Sequence, residues 1–275
     1  MGITKQRVDE IKAICKNLRI ELIEMLHNSQ SGHPGGSLSV CEILATIMLE
    51  KAKIDPENPD WADRDRVVMT KGHAAPMQYL LLGELGILDK DEYKTLRQLD
   101  TRLQGHTCMV TTPGIDLTAG PLGIGLPACV GMAAGLKLDK KDSYVYAVLG
   151  DGEINEGPVW EAIMSAVKFK LDNLICFLDY NKVQLDGTTD EIMPMNNMED
   201  RFRSFGMHVL RIDGHDIEAI ANAIDEAKQV KDKPVMIVAD TIKGKGVSFM
   251  EGQSSWHGNA ISDEYYEIAM KELKG

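Results

Sequence analysis

The chain has 275 residues, of which 44% are hydrophobic and 26% are charged, close to the composition of an average globular protein. This length is enough for one large α/β domain or two small ones, so we expect an ordinary buried core. The formal net charge of −12 would repel nucleic acid and anionic membranes, and neither is an expected partner.

The N-terminal segment predicts a cytoplasmic protein. It is interrupted by polar residues and has no apolar signal core, and no later window approaches the ~18 apolar residues of a membrane span. The cysteines are scattered without a Cys-x-x-Cys pair, which indicates reduced core residues and neither a disulfide framework nor a zinc site. They are Cys15, Cys41, Cys108, Cys129 and Cys176.

The first half of the chain predicts helices around one short strand. Residues 4–27 carry apolar side chains at a 3.6-residue period, which is typical of an amphipathic helix. Two sequences fit capping boxes that open helices, Ser39 to Glu42 and Asp89 to Glu92. Between these boxes, RVVMT predicts a strand. Residues 118–137 are so rich in Gly and Ala that we expect a helix packed too tightly for larger side chains.

The second half predicts a parallel sheet. The strand-like runs YVYAVL, NLICFLDY and PVMIVADT are separated by helical patterns at 158–170 and 216–229, and this alternation is typical of βαβ units. We find no internal repeat or Pro/Ser linker. The sequence therefore predicts a single α/β domain over residues 1–275, with a doubly wound parallel sheet.

Polar or Gly-rich sequences follow four of the predicted strands. They are Lys71-Gly72-His73, Gly150-Asp151-Gly152, Asn181 and the segment from Lys243 to Gly246. Ligands of open parallel sheets bind beyond the carboxyl ends of the strands, so one edge of this sheet is the expected site.

Asp151 and Asn181 are the candidate metal ligands. They end successive predicted strands, and if these strands are neighbours the carboxylate and amide oxygens could share one ion. This hard donor set fits Mg²⁺ completed by water and phosphate, and Gly150 and Gly152 would let phosphate approach the backbone. Gly-Asp-Gly alone is as typical of a turn that caps a helix, but the Asn at the next strand end favours the metal.

Four of the seven histidines adjoin glycine in predicted loops: His33, His73, His106 and His257. Imidazole exchanges protons near neutral pH, and four such loops are difficult to explain by packing alone. We interpret His27, His208 and His215 as structural. Lys243 and Lys245 either neutralise phosphate or belong to a solvated turn, and Met193, Met195 and Met198 indicate a packed or interfacial loop. Residues 123–128 match a dinucleotide motif, but no buried strand precedes them.

These motifs together resemble transketolase. GDGEINEG followed by LDYNKVQLDG resembles the thiamine diphosphate motif, and SGHPGG, KGHAA, LQGHT, TAGPLGIG and SSWHG occur in the order found in that family. The resemblance covers essentially the whole chain and only the diphosphate-binding domain of the family. It implies the thiamine diphosphate-binding fold and the N-terminal subunit of a split transketolase.

The resemblance implies a role for each matching residue. Asp151, Asn181 and the carbonyl of Val183 would bind Mg²⁺, in whose place Ca²⁺ or Mn²⁺ could bind. Gly152 and the loop Gly120, Pro121 and Leu122 would contact thiamine diphosphate. His73 and His257 would lie against the diphosphate and the reacting centre, whereas His33 and His106 would face the sugar hydroxyls. Glu156 matches an acid that joins active sites across a subunit interface.

The resemblance also implies the chemistry and the partners. A two-carbon ketol unit would pass from a ketose phosphate, in the pentose phosphate pathway or a specialised one, to an aldose, and the glutamate that activates the cofactor would lie in a pyrimidine domain on another subunit. We therefore expect no activity from the chain alone, self-association, and a heterotetramer with a C-terminal partner. Two alternatives remain open. One is another thiamine enzyme, similar to deoxyxylulose-phosphate synthase or a 2-oxo-acid dehydrogenase α subunit, and the other is a non-catalytic cofactor-binding subunit.

Overall fold

Five parallel strands form one sheet in the order β1-β2-β3-β5-β4 in the computed structural model, which describes residues 2–275. The strands are β1 (Arg66–Met69), β2 (Val145–Gly150), β3 (Leu174–Tyr180), β4 (His208–Asp213) and β5 (Val235–Asp240). The four strand sequences that ran into polar or Gly-rich segments thus lie side by side, and β4 is an edge strand.

Ten α-helices among the described residues surround the sheet. They are α1 (Lys5–Ser29), α2 (Pro34–Ser39), α3 (Cys41–Thr46), α4 (Ala75–Glu84), α5 (Gly125–Leu138), α6 (Gly157–Lys168), α7 (Thr189–Ile192), α8 (Met198–Ser204), α9 (Ile217–Ala227) and α10 (Asp263–Lys274). A π-helical turn, Ile47–Lys51, extends α3. The described residues contain no helix with the length and apolar character needed to cross a membrane.

The two faces of the sheet bury separate hydrophobic cores. Val67, Tyr146 and Phe177 point into the core that contains α1, α3, α4, α9 and α10. Val68, Ala147 and Cys176 point into the core that contains α5, α6 and α8. Successive side chains of a strand alternate between faces, so near-continuous apolar strands must be covered on both sides. The predicted doubly wound α/β fold is confirmed.

Strands β2 and β3 are neighbours, as the metal-site hypothesis required. They pair in parallel with Gly150 opposite Asp179, and α6 lies in the connection between them. Asp151 and Asn181 therefore leave the sheet at the same edge.

One predicted capping box is wrong and one is present. α2 ends at Ser39, and α3 begins after Val40 without a side-chain cap. Ser39 is the last residue of α2, and its hydroxyl donates to the buried Asp179 carboxylate in the sheet, so it does not cap α3. Asp89 and Glu92 do form a capping box, but it opens a 3-10 helix, Lys90–Thr95.

The Gly/Ala-rich segment is helical only from Gly125, and the predicted reason for its small residues is wrong in part. A Cβ on Gly125 would lie 2.7 Å from the Thr70 Cβ, so this glycine permits close contact with β1. Gly131 and Gly135 instead have no atom within 4 Å of that position, so nothing within the described chain requires glycine there.

The residues interpreted as structural lie mostly where expected. His27 stacks on Tyr266, and His215 joins the buried Arg19 and Glu42. Met195 and Met198 are buried, but Met193 is exposed, so it does not pack in its own loop. All five cysteines are free and four are buried. Cys15 and Cys41 adjoin Glu42, whose carboxylate is already paired with Arg19.

Candidate active site

A cavity of about 190 Å³ lies at the carboxyl ends of β1, β2, β3 and β5. Its lining residues are Gly36, Lys71, His73, Leu122, Gly150, Asp151, Gly152, Glu153, Asn181, Val183, Gln184, Leu185, Lys243 and His257. Seven of the residues predicted to bind cofactor, metal or substrate are in this lining: His73, Leu122, Asp151, Gly152, Asn181, Val183 and His257.

The Asp151 carboxylate is held rigidly in the floor of this cavity. It is 3% exposed, and it accepts hydrogen bonds from the backbone N–H of Gly152 at 2.8 Å and of Lys182 at 2.6 Å. Burial and the neighbouring Asp179 raise the pKa of Asp151 to about 7. A cation beside this carboxylate would lower its pKa again and favour the charged form, which is what a metal-binding position requires.

Asn181 and Val183 form the turn that follows β3. The Asn181 side-chain oxygen accepts from the Val183 N–H at 3.1 Å, and its amide nitrogen is 3.3 Å from the Asp179 carboxylate. The Val183 carbonyl accepts from Lys243 Nζ at 3.1 Å and retains a second lone pair.

The sequence-based site prediction gave no role to three charged residues of the site, although it placed Lys71 at the expected edge of the sheet. Lys71 and Asp179 form a fully buried ion pair under the cavity, and Asp179 also accepts from the Thr241 hydroxyl. Glu153, also buried, accepts from the backbone N–H groups of Gly123 and Gly150. The sequence carried a signal for two of them, because Lys71 comes shortly after the strand β1 and Asp179 lies two positions before the predicted ligand Asn181.

Three of the four predicted histidines form one cluster. The ring centroids of His33 and His73 are 5.1 Å apart, those of His73 and His257 are 5.0 Å apart, and those of His33 and His257 are 5.5 Å apart. Burial is the main cause that lowers the pKa of His33 to about 4 and that of His257 to about 3. Burial also holds the pKa of His73 well below its usual value. The cluster is therefore uncharged at neutral pH.

Lys243 joins the histidine cluster to the predicted metal ligands. Its Nζ lies 2.9 Å from His257 Nδ1 and also donates to the carbonyls of Val183 and Gln184. Burial lowers the pKa of Lys243 to about 8. Lys245, the other lysine of this loop, does not line the cavity and lies 3.8 Å from Glu251.

The remaining predicted residues lie around the opening. His106 is exposed and contributes to lowering the pKa of His33. Gly120 adjoins the His106 ring, since a Cβ there would lie 4.0 Å from its Cγ. Pro121 is exposed, and only Leu122 of this loop lines the cavity.

Glu156 lies apart from the cavity at the start of α6. Its side chain is exposed, and a Cβ on Gly123, which has a φ of +83°, would lie 2.5 Å from the Glu156 Cβ. Glycine is therefore required at 123 both by the backbone and by this close approach.

The site fits Mg²⁺ and a diphosphate. Asp151, Asn181 and Val183 offer one carboxylate and two neutral oxygens, a set that Mg²⁺ accepts together with phosphate oxygens. The Gln184 side-chain nitrogen is buried in the cavity wall without a hydrogen-bond partner among the described residues. That N–H group can donate to a phosphate oxygen, whereas the three N–H groups of Lys243 already have acceptors, so Lys243 would contribute its positive charge.

Comparison with known proteins decides the family. Residues 10–274 match the family described as "Transketolase, thiamine diphosphate binding domain". The chain belongs to this family. It is 46% identical over 243 residues to the 6-deoxy-6-sulfo-D-fructose transketolase subunit of Clostridium sp. strain MSTE9, with 88% of each chain covered. It is 36% identical to a subunit of the apulose-4-phosphate transketolase of Phocaeicola vulgatus, with 97% of this chain and 95% of the relative covered.

Solved transketolases share the fold. The transketolase of Campylobacter jejuni superposes with a TM-score of 0.89 at 33% identity, over 99% of this chain and 43% of that one. The transketolase-type subunit therefore spans nearly the whole length of the subunit relatives and less than half of the solved transketolase. The predicted thiamine diphosphate-binding fold and the predicted family are confirmed.

Proposed function

We propose that this transketolase-type subunit transfers a two-carbon ketol unit from a ketose phosphate to an aldose acceptor, with thiamine diphosphate and Mg²⁺. The observation that supports this most directly is that one cavity joins a metal-type donor set to a cluster of uncharged histidines. The family match at residues 10–274 supports the cofactor. On this proposal, residues 1–275 act as one diphosphate-binding domain in the cytoplasm.

Thiamine diphosphate, when bound, supplies the carbanion chemistry that breaks and forms the carbon–carbon bond. Asp151, Asn181 and the Val183 carbonyl would hold Mg²⁺ against the diphosphate. Gly152 leaves the backbone accessible to phosphate, and Lys243 would neutralise part of its charge.

The histidine cluster would handle protons and hydroxyl groups. His73 and His257 line the cavity and would lie near the reacting centre, with His33 beside them toward the sugar. Neutral imidazole N–H groups can donate to a developing alkoxide, and a free ring nitrogen can accept a hydroxyl proton. His106 at the opening would contact the sugar chain.

A partner subunit would complete the catalyst. Two close relatives are named as subunits, which supports a partner that carries the pyrimidine domain and the activating glutamate. We expect two copies of each chain, or a multiple of that, because a two-fold arrangement completes two equivalent sites. Glu156, exposed beside Gly123, would contribute to the interface.

The donor sugar is proposed from the same relatives. Their names specify 6-deoxy-6-sulfofructose and apulose 4-phosphate, both of which carry a terminal anionic group. We therefore expect a ketose with a terminal phosphate or sulfonate.

The test is an assay of ketol transfer by this chain, by a C-terminal transketolase subunit from the same organism, and by their mixture, each with Mg²⁺ and thiamine diphosphate. Transfer by the mixture alone supports the proposal, and full activity of this chain by itself contradicts it. Condensation of pyruvate with an aldose phosphate would instead identify an enzyme similar to deoxyxylulose-phosphate synthase. Cofactor binding without any turnover would identify a non-catalytic subunit.

A further inference from the structure

Arg97 is held at the histidine cluster by an unusual backbone. Its φ is +62°, in the left-handed region that side-chain-bearing residues rarely adopt, and its N–H donates to the Leu103 carbonyl at 2.9 Å. Its guanidinium lies against Gly105, where a Cβ would be 2.9 Å from the Arg97 Cζ. Glycine at 105 therefore leaves the space that the guanidinium occupies.

The guanidinium has polar partners but no acidic one. Nη1 donates to the Ser31 hydroxyl at 2.8 Å, and Nη2 lies 3.4 Å from His33 Nδ1 and 3.5 Å from the Gly105 carbonyl. Nε is buried and has no hydrogen-bond partner within residues 2–275. No carboxylate among residues 2–275 acts on the Arg97 guanidinium, so its positive charge acts directly on the His33 ring.

This contact determines where His33 carries its proton. A guanidinium has five N–H donors and no acceptor, so Nδ1 of His33 must be the acceptor. The proton of the neutral ring therefore sits on Nε2, the ring nitrogen beside Gly258, where a Cβ would lie 3.5 Å from it.

We propose that Arg97 is a positioning residue that keeps His33 neutral with its proton on Nε2, so that His33 offers an N–H donor to a substrate oxygen and accepts no proton from it. The substrate class, a sugar with a hydroxyl or developing alkoxide at this position, rests on the proposed function. The assignment of the His33 tautomer rests only on the contacts of the ring and does not depend on the proposed function.

The surroundings of His33 support the neutral form. Burial and then the charge of Arg97 lower its pKa, with smaller contributions from His106 and Lys243. The titratable groups that face His33 come from five separate segments of the chain: His73, Arg97, His106, Lys243 and His257. None of them is acidic, so none would favour the imidazolium.

The test uses the full chain with ¹⁵N-labelled histidine, without cofactor or substrate, and long-range ¹H–¹⁵N spectra between pH 5 and 8. His33→Gln assigns the signal. We expect Nε2–H and no titration in the parent protein. In Arg97→Met we expect Nδ1–H to become populated and the pKa of His33 to rise by ~1 unit, because a nearby like charge is removed.

Arg97→Lys should keep the low pKa, because it retains the charge. Arg102→Met is the matched control, since Arg102 pairs with Glu92 and should leave the His33 signal unchanged. An Nδ1–H tautomer in the parent protein would overturn the proposal without any variant, and so would an unchanged His33 signal in folded Arg97→Met. Neither result depends on ketol transfer. A wrong assignment of the His33 tautomer can therefore be distinguished from a wrong proposed function.

Discussion

The buried Asp151 carboxylate is unfavourable in its charged form when no cation is bound, and the same burial prepares it to bind a cation. Its oxygens are fixed by two backbone N–H groups, yet burial and Asp179 raise its pKa to about 7. A side chain held in this way needs no rearrangement to meet a cation, and it gains from doing so.

Asp151→Ala should weaken both Mg²⁺ and thiamine diphosphate binding by ~10-fold or more, because one charged ligand is lost. Calorimetric titration of the reconstituted complex measures this. Asp139→Ala, at an exposed position after α5, should bind as the parent does. Unchanged cofactor affinity in Asp151→Ala would show that this carboxylate is not a metal ligand.

His33→Ala should lower turnover by roughly 10²- to 10⁴-fold, as is typical when an acid–base or alkoxide-stabilising group is lost. Cofactor affinity should change less than in Asp151→Ala, because His33 does not line the cavity wall. Steady-state kinetics of the complex test this, with His208→Ala as the control. Full specific activity with only a lower melting temperature would make His33 structural.

At the scale of elements, a buried charged network joins three parts of the chain. Arg19 of α1 pairs with Glu42 of α3 at 2.6 Å. His215, in the turn before α9, accepts the Ile242 N–H on Nε2, so its Nδ1 carries a proton and donates to Glu42. These contacts fix α1 and α3 against the loop that follows β5, and so orient the helices that flank the histidine loops.

Glu42→Gln should destabilise the protein by ~3–5 kcal/mol at pH 7, because it leaves Arg19 buried without its charge partner. Urea unfolding measures this. Glu92→Gln removes a partly exposed partner of Arg102 and should cost ~1 kcal/mol or less. Equal effects of the two substitutions would contradict the importance of the buried network.

The same network gives a pH dependence. Burial by itself would raise the pKa of Glu42, but hydrogen bonds from His215 and Arg19 and the charge of Arg19 lower it to about 2. The unfolded value is 4.5, so the stabilisation is fully present above pH 4.5 and is lost as the pH falls toward 2. The free energy of unfolding of the parent protein should decrease from pH 6 to pH 4 and again to pH 3. In Glu42→Gln the decrease over the same pH range should be smaller.

At the scale of the whole molecule, apolar side chains are exposed near the cavity and on α5. Leu122 and Leu185 line the cavity and are 37% and 60% exposed, and Ile124 at the start of α5 is 58% exposed. Gly131 and Gly135 of α5 face open space. Small residues with no neighbour in their own chain leave room for another chain to approach closely.

The isolated chain should therefore self-associate, and its mass by light scattering should rise with concentration. Ile124→Glu should reduce the association, because it places a charge on the exposed apolar surface. Leu99→Glu, at a position 91% exposed and outside the cavity lining, is the control. Adding the C-terminal subunit should convert the mixture to an assembly with two copies of each chain. A monomer at every concentration would contradict the self-association, and a mixture that forms no complex would contradict the predicted assembly.

The sequence by itself determined four of the five strands and the edge of the sheet at which the cavity lies. Near-continuous apolar runs followed by Gly, Asp, Asn and Lys are typical of buried parallel strands with polar ends, and this pattern predicted that Asp151 and Asn181 lie at the same edge of the sheet. The capping box predicted from Ser39 to Glu42 was wrong. A capping box is a local pattern, whereas the Ser39 hydroxyl donates to an acceptor 140 positions away in the chain.

The tertiary structure alone decided the charges and the partners of the site. Lys71 and Asp179 stand 108 positions apart, and Arg97 and His33 stand 64 apart, so no local pattern could pair them. Burial also set the pKa values of Asp151 and of the histidines, and burial is a property of the packed chain. Strand and turn chemistry depend on neighbours in sequence, whereas protonation and ion pairing depend on neighbours in space.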